Sequence, residues 1–178
     1  MTAPRHGPGR PMGPRVPLDD EQRVALHGPV LTLPSPDDTR AFGARLAARL
    51  RAGDLIVLTG PLGAGKTALV QGIGAGLGVR GRVVSPTFVI ARVHPGPLPL
   101  VHVDAYRLRS LAEVDDLDLD VDVSDAVTVV EWGAGLVEQL SDARLEIAID
   151  RSAQSEERTV RLMPHGGDWA ERVAGLDS

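Results

Sequence analysis

Residues 60–67 have the types and the spacing that bind the phosphates of a nucleotide. They spell G-P-L-G-A-G-K-T, which fits the phosphate-loop pattern G-x-x-x-x-G-K-[ST]. Glycine lets such a loop turn sharply and point several backbone N–H groups at one anion, and the next helix adds its positive dipole end. The side chain of the lysine can reach the β- and γ-phosphates, and the threonine hydroxyl can ligate Mg²⁺. The residues that would form this site are Gly60, Gly63, Ala64, Gly65, Lys66 and Thr67.

Lys66 is the single lysine of the chain, since every other Lys or Arg position is arginine. Arginine carries a bulky planar group, whereas lysine carries a compact ammonium on a flexible stem. The presence of lysine at this position alone therefore indicates that the site needs a compact charge. The alternative is a glycine-rich turn that matches by chance, but it explains neither the apolar strand before the motif nor the helix after it.

Two acids follow apolar runs that predict buried strands. Asp104 comes after residues 100–103, and Glu131 comes after residues 127–130. Ligands of an α/β sheet gather outside the carboxyl ends of its strands, so both acids are candidates for the metal-site position of a nucleotide-hydrolysing protein. Either could hold Mg²⁺, directly or through water, or orient a water on the γ-phosphate. The alternative for each is an acid that only caps a loop.

Three further residues lie close to these motifs in the sequence. Thr87, in the sequence Ser85-Pro86-Thr87, lies on a predicted loop where a hydroxyl could sense the γ-phosphate. Trp132 follows Glu131 directly, although a packing role explains it equally well. His102 lies on the strand that leads to Asp104, and because the five histidines are scattered, we predict no function for it.

The surrounding pattern alternates strands with helices, which is typical of an α/β fold. Strands are predicted at residues 30–33, 55–58, 83–84, 88–93, 100–106 and 127–131, with a late hairpin from 145–149 and 159–163. Helices are predicted after capping boxes at Ser35–Asp38 and Ser110–Glu113, and at 67–77, 136–140 and 168–176. We therefore expect a P-loop NTPase-like fold with a mainly parallel central sheet, flanking helices, and antiparallel strands at an edge.

Composition limits the class of protein. The 178 residues are 43% hydrophobic, which predicts one domain over residues 29–178. Residues 1–28 are rich in Pro, Gly and Arg, so we expect a disordered tail rather than a nucleic-acid-binding arm. The alternating acids at 116–122 favour a solvated face over a calcium site. The absence of cysteine excludes disulfides, the net charge of −5 argues against nucleic-acid binding over the whole surface, and no apolar run predicts a membrane span or signal peptide. A cytoplasmic protein is expected.

In combination, four motifs resemble one family. They are the phosphate loop at 60–67, S-P-T-F at 85–88, H-V-D-A-Y-R-L at 102–108 and V-E-W-G at 130–133. Their order and spacing are similar to those of the bacterial ATPase of tRNA threonylcarbamoyladenosine biosynthesis, called TsaE or YjeE. The resemblance covers about residues 31–163. Many families share the phosphate loop, but the combination with S-P-T-[FY], D-x-Y-R-L and E-W is specific.

The resemblance implies a Mg²⁺-dependent ATPase that is weak alone and acts with two partners, TsaB and TsaD. Together they perform N6-threonylcarbamoylation of adenosine 37 in tRNA, and this subunit does not make the transfer itself. It implies that Lys66 binds phosphate, that Thr67 ligates Mg²⁺, that Glu131 is a metal-site acid, and that Asp104 is a catalytic or supporting acid. Residues implied to lie in a switch-like loop, near the site or on the partner face are Ser85, Thr87, Tyr106, Arg107 and Trp132.

One position departs from the family pattern. The loop of the family usually has aspartate where this chain has Pro61, which removes a carboxylate and one backbone N–H. Contacts to adenine stay open, with Arg158 and the start of the first helix as candidates. Two other functions also stay open: an ATP-gated assembly module in which hydrolysis is incidental, and a small-molecule P-loop kinase.

Overall fold

The computed structural model of the chain describes residues 28–86, 90–107, 122–132 and 141–176. Seven strands form one sheet in these ranges. They are β1 (Val30–Leu33), β2 (Leu55–Thr59), β3 (Ala91–His94), β4 (Leu100–Asp104), β5 (Val127–Glu131), β6 (Arg144–Arg151) and β7 (Arg158–His165). The helices are α1 (Pro36–Ala47), α2 (Lys66–Leu77) and the short α3 (Trp169–Val173).

The sheet has the strand order β1-β7-β6-β2-β5-β4-β3. Its four inner strands β6, β2, β5 and β4 are parallel to their neighbours within this group. Strand β3 pairs antiparallel with β4 at one edge, and β7 and β1 add antiparallel pairings at the other edge. The fold is therefore the expected α/β, P-loop NTPase-like architecture, with antiparallel strands at both edges rather than one.

The two faces of the sheet have separate cores. Alternate residues of β2, β4 and β5, such as Leu58, Leu100 and Val129, pack with the buried faces of α1 and α2. The residues between them, such as Val57 and Val103, form a second cluster on the opposite face. Because side chains alternate along a strand, the strand-end acids of β4 and β5 lie on the face that α2 covers.

Helix α1 begins as the sequence predicts. The Ser35 hydroxyl oxygen accepts a hydrogen bond from the Asp38 backbone N–H at 3.2 Å. The reciprocal contact differs from a full capping box, because the Ser35 hydroxyl itself donates to the Asp38 carboxylate at 2.6 Å. One of the unpaired N–H groups of the first turn is therefore satisfied.

Glycines of α2 bring the two long helices together. A side chain at Gly72 would overlap the carbonyl oxygen of Arg40, and one at Gly76 would lie 2.5 Å from Cβ of Ala47. Gly74 differs, because a side chain there would meet Val83 and Leu100, of which Leu100 is on β4. The other two permit a close approach of α1 to α2, which fixes the helix that carries the end of the phosphate loop.

Two predicted strands differ in the structure: one does not form and the other is shorter. Residues 83–84 form no strand, because the Val83 carbonyl accepts a hydrogen bond from the Gln71 side chain of α2 at 3.2 Å instead of pairing in the sheet. The strand predicted at 100–106 ends at Asp104, whose Oδ1 accepts from the Tyr106 N–H at 3.1 Å. That bond closes the 3-10 turn Ala105–Arg107.

Several predictions lie outside the described residues. These are the tail up to residue 27, Thr87, the start of the strand predicted at 88–93, the capping box at Ser110–Glu113, the acids at 116–121, and the helix at 136–140. Within the described ranges, no helix is both long and apolar enough to cross a membrane.

Candidate nucleotide-binding site

The phosphate loop links the carboxyl end of β2 to the first residue of α2. Its three glycines have positive φ angles of 152° at Gly60, 78° at Gly63 and 109° at Gly65. Residues that carry a side chain rarely adopt positive φ angles. A Cβ on Gly60 would also overlap the carbonyl of Ile149 on β6. The glycines of the motif are therefore required by the backbone path itself.

The first turn of α2 is left without a side-chain cap. Gly65 is its N-terminal cap residue and offers no side chain to the N–H groups that follow. A helix start with unpaired N–H groups and a positive dipole end is a site for an anion. Thr67, half-buried at the second position of α2, lies beside these donors. The local structure thus has the order of strand, glycine-rich loop and helix that the motif predicts.

Lys66 is buried and points back over the loop. Its Nζ donates to the carbonyl oxygens of Gly60 at 2.8 Å and Pro61 at 3.2 Å. It also lies 4.5 Å from the centre of the Trp132 ring, a cation–π contact. Burial lowers the pKa of Lys66 below its ordinary value, and the negative charges of Glu131 and Asp104 offset part of that shift.

The two acids lie side by side at the ends of neighbouring strands. Asp104 and Glu131 are register partners in the parallel pair of β4 and β5, and Glu131 also pairs with Leu58 of β2. Glu131 is buried, whereas Asp104 is half-buried and anchors the turn through Tyr106. Both carboxylates act electrostatically on Lys66. The structure therefore brings together the predicted halves of the site.

His102 is the residue of this site that the sequence did not reveal. Its imidazole is fully buried, and its Nε2 lies 2.8 Å from Oε1 of Glu131. A signal was present, because His102 and Asp104 are two residues apart on one strand and so face the same side. The pairing with Glu131, 29 positions away, depends on the register of β4 against β5.

Tyr106 and Trp132 form an aromatic rim beside the lysine. Their ring centres are 6.3 Å apart in an edge-to-face arrangement, and their exposed fractions are 79% and 42%. Trp132 has a positive φ of 61°, and its backbone N–H donates to the Leu58 carbonyl at 3.2 Å. A bulky residue in that conformation is strained, which is frequent at functional sites.

The structure describes the remaining predicted residues in less detail. Ser85 is half-buried in the segment 82–86, which the Gln71 side chain ties to α2. Thr87 lies outside the described residues. Arg107 ends the 3-10 turn, but the structure describes only its backbone.

The donor set fits a metal that arrives with a nucleotide. Within the described ranges, no group of three or more His, Asp or Glu side chains could hold a metal ion. The site offers two carboxylates, Asp104 and Glu131, together with the Thr67 hydroxyl. Mg²⁺ usually takes one or two carboxylates with phosphate oxygens and waters as its other ligands. The residues present match that pattern.

Open clefts flank the phosphate loop on the side of β6 and β7. One of about 610 Å³ is lined by Gly60, Pro61, Asp150 and Arg161 among others. Arg158, at the start of β7, is buried with its Nε 3.3 Å from the point where a Cβ on Gly65 would lie. The candidate adenine contact therefore borders the loop. Contact with adenine stays a prediction.

Comparisons with known proteins all point to one family. The model of the TsaE family, described as threonylcarbamoyl adenosine biosynthesis protein TsaE, matches residues 33–160. A Streptomyces coelicolor protein named tRNA threonylcarbamoyladenosine biosynthesis protein TsaE is 60% identical over 139 residues, covering 74% of this chain and 93% of that protein. The protein of the same name from Mycobacterium tuberculosis H37Rv is 50% identical over 141 residues, covering 74% and 84%.

A solved structure agrees with these sequences. The crystal structure of Bacillus subtilis YdiB is similar with a TM-score of 0.68 and 32% sequence identity, over 83% of this chain and 93% of that one. The matched region contains the phosphate loop, both strand-end acids and Trp132. The chain therefore belongs to the TsaE family of tRNA threonylcarbamoyladenosine biosynthesis proteins.

Proposed function

We propose that this protein is a Mg²⁺-dependent ATP-binding and ATP-hydrolysing subunit, required with TsaB and TsaD for N6-threonylcarbamoylation of adenosine 37 in tRNA. The observation that carries the proposal is the position of Lys66. This buried cation lies on a phosphate loop and faces two carboxylates at the ends of β4 and β5. The names of the relatives support the place in tRNA modification.

Lys66 Nζ donates hydrogen bonds to two neutral carbonyls, those of Gly60 and Pro61. Phosphate oxygens are negatively charged acceptors, so they add a direct attraction between opposite charges that a neutral carbonyl cannot give. The ammonium therefore exchanges these carbonyls for the β- and γ-phosphates. The backbone N–H groups at the start of α2 complete the cradle around the anion.

Three side chains serve the metal and the attacking water. The Thr67 hydroxyl and the Glu131 carboxylate would hold Mg²⁺, which neutralises charge that develops on the transferring phosphoryl group. Asp104, beside Glu131 and less buried, can accept a hydrogen bond from the attacking water. Trp132 lies over Lys66 and limits the access of bulk water to the ammonium.

A second candidate function is an ATP-gated assembly module with incidental hydrolysis. The contact of Trp132 with Lys66 favours it, because phosphate binding would draw the lysine away from an exposed ring. The edge-to-face pair of Tyr106 and Trp132 would then change its surface with nucleotide state. In that case nucleotide binding, rather than hydrolysis, would control a partner.

Reconstituted tRNA modification separates the two functions. The subunit is combined with TsaB, TsaD, tRNA and a preformed activated threonylcarbamoyl donor, and modified tRNA per complex is counted with ATP or a nonhydrolysable analogue. We expect many rounds with ATP and at most one with the analogue. Many rounds with the analogue would establish the gate, and modification that continues without any nucleotide would contradict both functions. The Lys66→Ala subunit is the matched control.

A further inference from the structure

We propose that His102 is a positioning residue that fixes the carboxylate of Glu131 at the nucleotide site. The inference rests on the proposed function, since it assigns His102 a role in the same metal-dependent hydrolysis. His102 touches neither the phosphate loop nor Lys66 through any hydrogen bond in the described ranges, so its effect must pass through Glu131.

The sheet register places the two side chains together. In the parallel pair, His102 is opposite Val129, and Asp104 is opposite Glu131. His102 is therefore opposite the residue two positions before Glu131, on the same face of the sheet. Its Nε2 lies 2.8 Å from Oε1 of Glu131. The His102 side chain is fully buried and that of Glu131 is 9% exposed, so water competes little for this bond.

The chemistry of the pair fixes the direction of the bond. An ionised carboxylate can only accept a hydrogen bond, so Nε2 carries the proton and donates the hydrogen bond to Oε1. Nδ1 is buried and finds no hydrogen-bond partner in the described part of the chain. Burying a polar atom without a partner has a cost in stability. Leucine would suit this strand position without that cost, so packing alone does not explain a histidine here.

The bond also explains why two opposite charges stay apart. Lys66 and Glu131 interact electrostatically, yet within the described ranges they form no ion pair, and Nζ is bonded to loop carbonyls. Glutamate has three rotatable side-chain bonds and could otherwise turn toward the ammonium. By holding Oε1, His102 keeps the carboxylate away from the ammonium, so that Glu131 would be free to hold Mg²⁺ and Lys66 stays available for phosphate.

The test compares three variants in the assembled complex with TsaB and TsaD. His102→Leu removes the donor, and His102→Gln keeps one, because the amide nitrogen of glutamine can occupy the position of Nε2. His94→Leu is the matched control, since His94 is a second buried histidine at the same sheet edge and its Nε2 has no partner in the described ranges. Steady-state kinetics gives kcat and KM for ATP, and thermal unfolding confirms folding.

We expect His102→Leu to lower kcat about 10–100-fold, the usual effect of removing a residue that orients a metal ligand. The Gln variant should recover most of this loss, and His94→Leu should stay within about twofold of wild type on the same scale. Binding of Mn²⁺ with ADP, followed by electron paramagnetic resonance, should weaken in parallel in His102→Leu. Wild-type kcat in His102→Leu, or a Gln variant as impaired as the Leu variant, would overturn the proposal.

A measurement on the unmodified protein keeps the test independent of folding of the variants. Nitrogen-15 NMR of the histidine rings reports which nitrogen carries the proton. The proposal requires His102 to be protonated at Nε2, whereas a ring protonated only at Nδ1 contradicts it. Failure of the proposed function is distinguishable, because it would appear as unimpaired hydrolysis in Glu131→Ala.

Discussion

Two buried cations of this protein, Lys66 and Arg172, have the same aromatic support but different polar partners. The Nζ of Lys66 lies 4.5 Å from the centre of the Trp132 ring, and Cζ of Arg172 lies 4.0 Å from that of Trp169. Each ring provides a flat, polarisable surface that lets a charged group leave bulk water. The hydrogen-bond partners therefore distinguish the two regions.

Arg172 is neutralised within the protein. It donates to the Asp54 carboxylate and the Arg49 carbonyl, and its Nη1 lies 3.4 Å from Asp168. Hydrogen bonding to Asp54 raises the pKa of Arg172 above its ordinary value, against the effect of burial. This cluster ties α3 to the loop before β2 and is complete without a ligand.

Lys66 is not neutralised in this way. Its hydrogen bonds go to two carbonyls, and burial lowers its pKa. A buried charge without a bonded carboxylate is costly, and such perturbed groups concentrate at functional sites. The hydrogen-bond partners of a buried cation, rather than its burial, therefore separate a structural charge from one that can bind a ligand.

The largest effect is expected at the structural cation. Arg172→Ala removes the cationic partner of the Asp54 carboxylate, which is 11% exposed and keeps the hydrogen bond from the Arg51 backbone N–H, so the free energy of unfolding should fall by about 3 kcal/mol. Urea unfolding measures this change in stability. Isothermal titration of the Arg172→Ala protein without urea, at a temperature at which it is folded, should give the ATP affinity of wild type. A loss of ATP affinity in the folded variant would break the distinction between the two cations.

Removing an acid beside Lys66 should affect catalysis rather than folding. Glu131→Ala is expected to reduce ATP hydrolysis about 100-fold, of the order seen when one electrostatic stabiliser of a transition state is lost. ATP affinity should change little, since Lys66 and the loop remain. Asp104→Ala is the matched variant at the neighbouring strand end, and the larger loss of kcat identifies the main acid. Wild-type hydrolysis in Glu131→Ala would make that residue structural.

The smallest effect is the pH dependence of stability. The pKa of Lys66 is lowered in the folded protein, so the unfolded chain binds more protons between the lowered pKa and 10.5. The free energy of unfolding therefore gains a rising contribution in that window, while below it the full cost of the buried charge is present. Lys66→Met lacks this contribution. Its stability advantage over wild type should shrink as the pH rises toward 10.5, as urea unfolding at several pH values would show. A constant difference would contradict the lowered pKa.

Short sequence patterns predict the region around Lys66 better than the region around Arg172. The loop around Lys66 and the strand-end acids could be found because each lies within a few residues of its own strand or helix. The bond of Arg172 to Asp54 joins positions 118 residues apart, and no short pattern marks it. His102 was missed for the same reason, since its partner is set by strand register. The strand predicted at 83–84 failed because a side chain of α2 takes the Val83 carbonyl.

The nucleotide site is tested most directly by the affinity of Lys66→Ala for ATP with Mg²⁺, measured by isothermal titration beside a thermal unfolding curve. We expect at least a roughly 100-fold loss of affinity, about 2.7 kcal/mol, because charge-assisted hydrogen bonds to phosphate are lost. We also expect an unfolding temperature equal to or above that of wild type, because a buried charge is removed. Wild-type affinity for ATP in a folded Lys66→Ala protein would contradict the assignment of residues 60–67 as the nucleotide site.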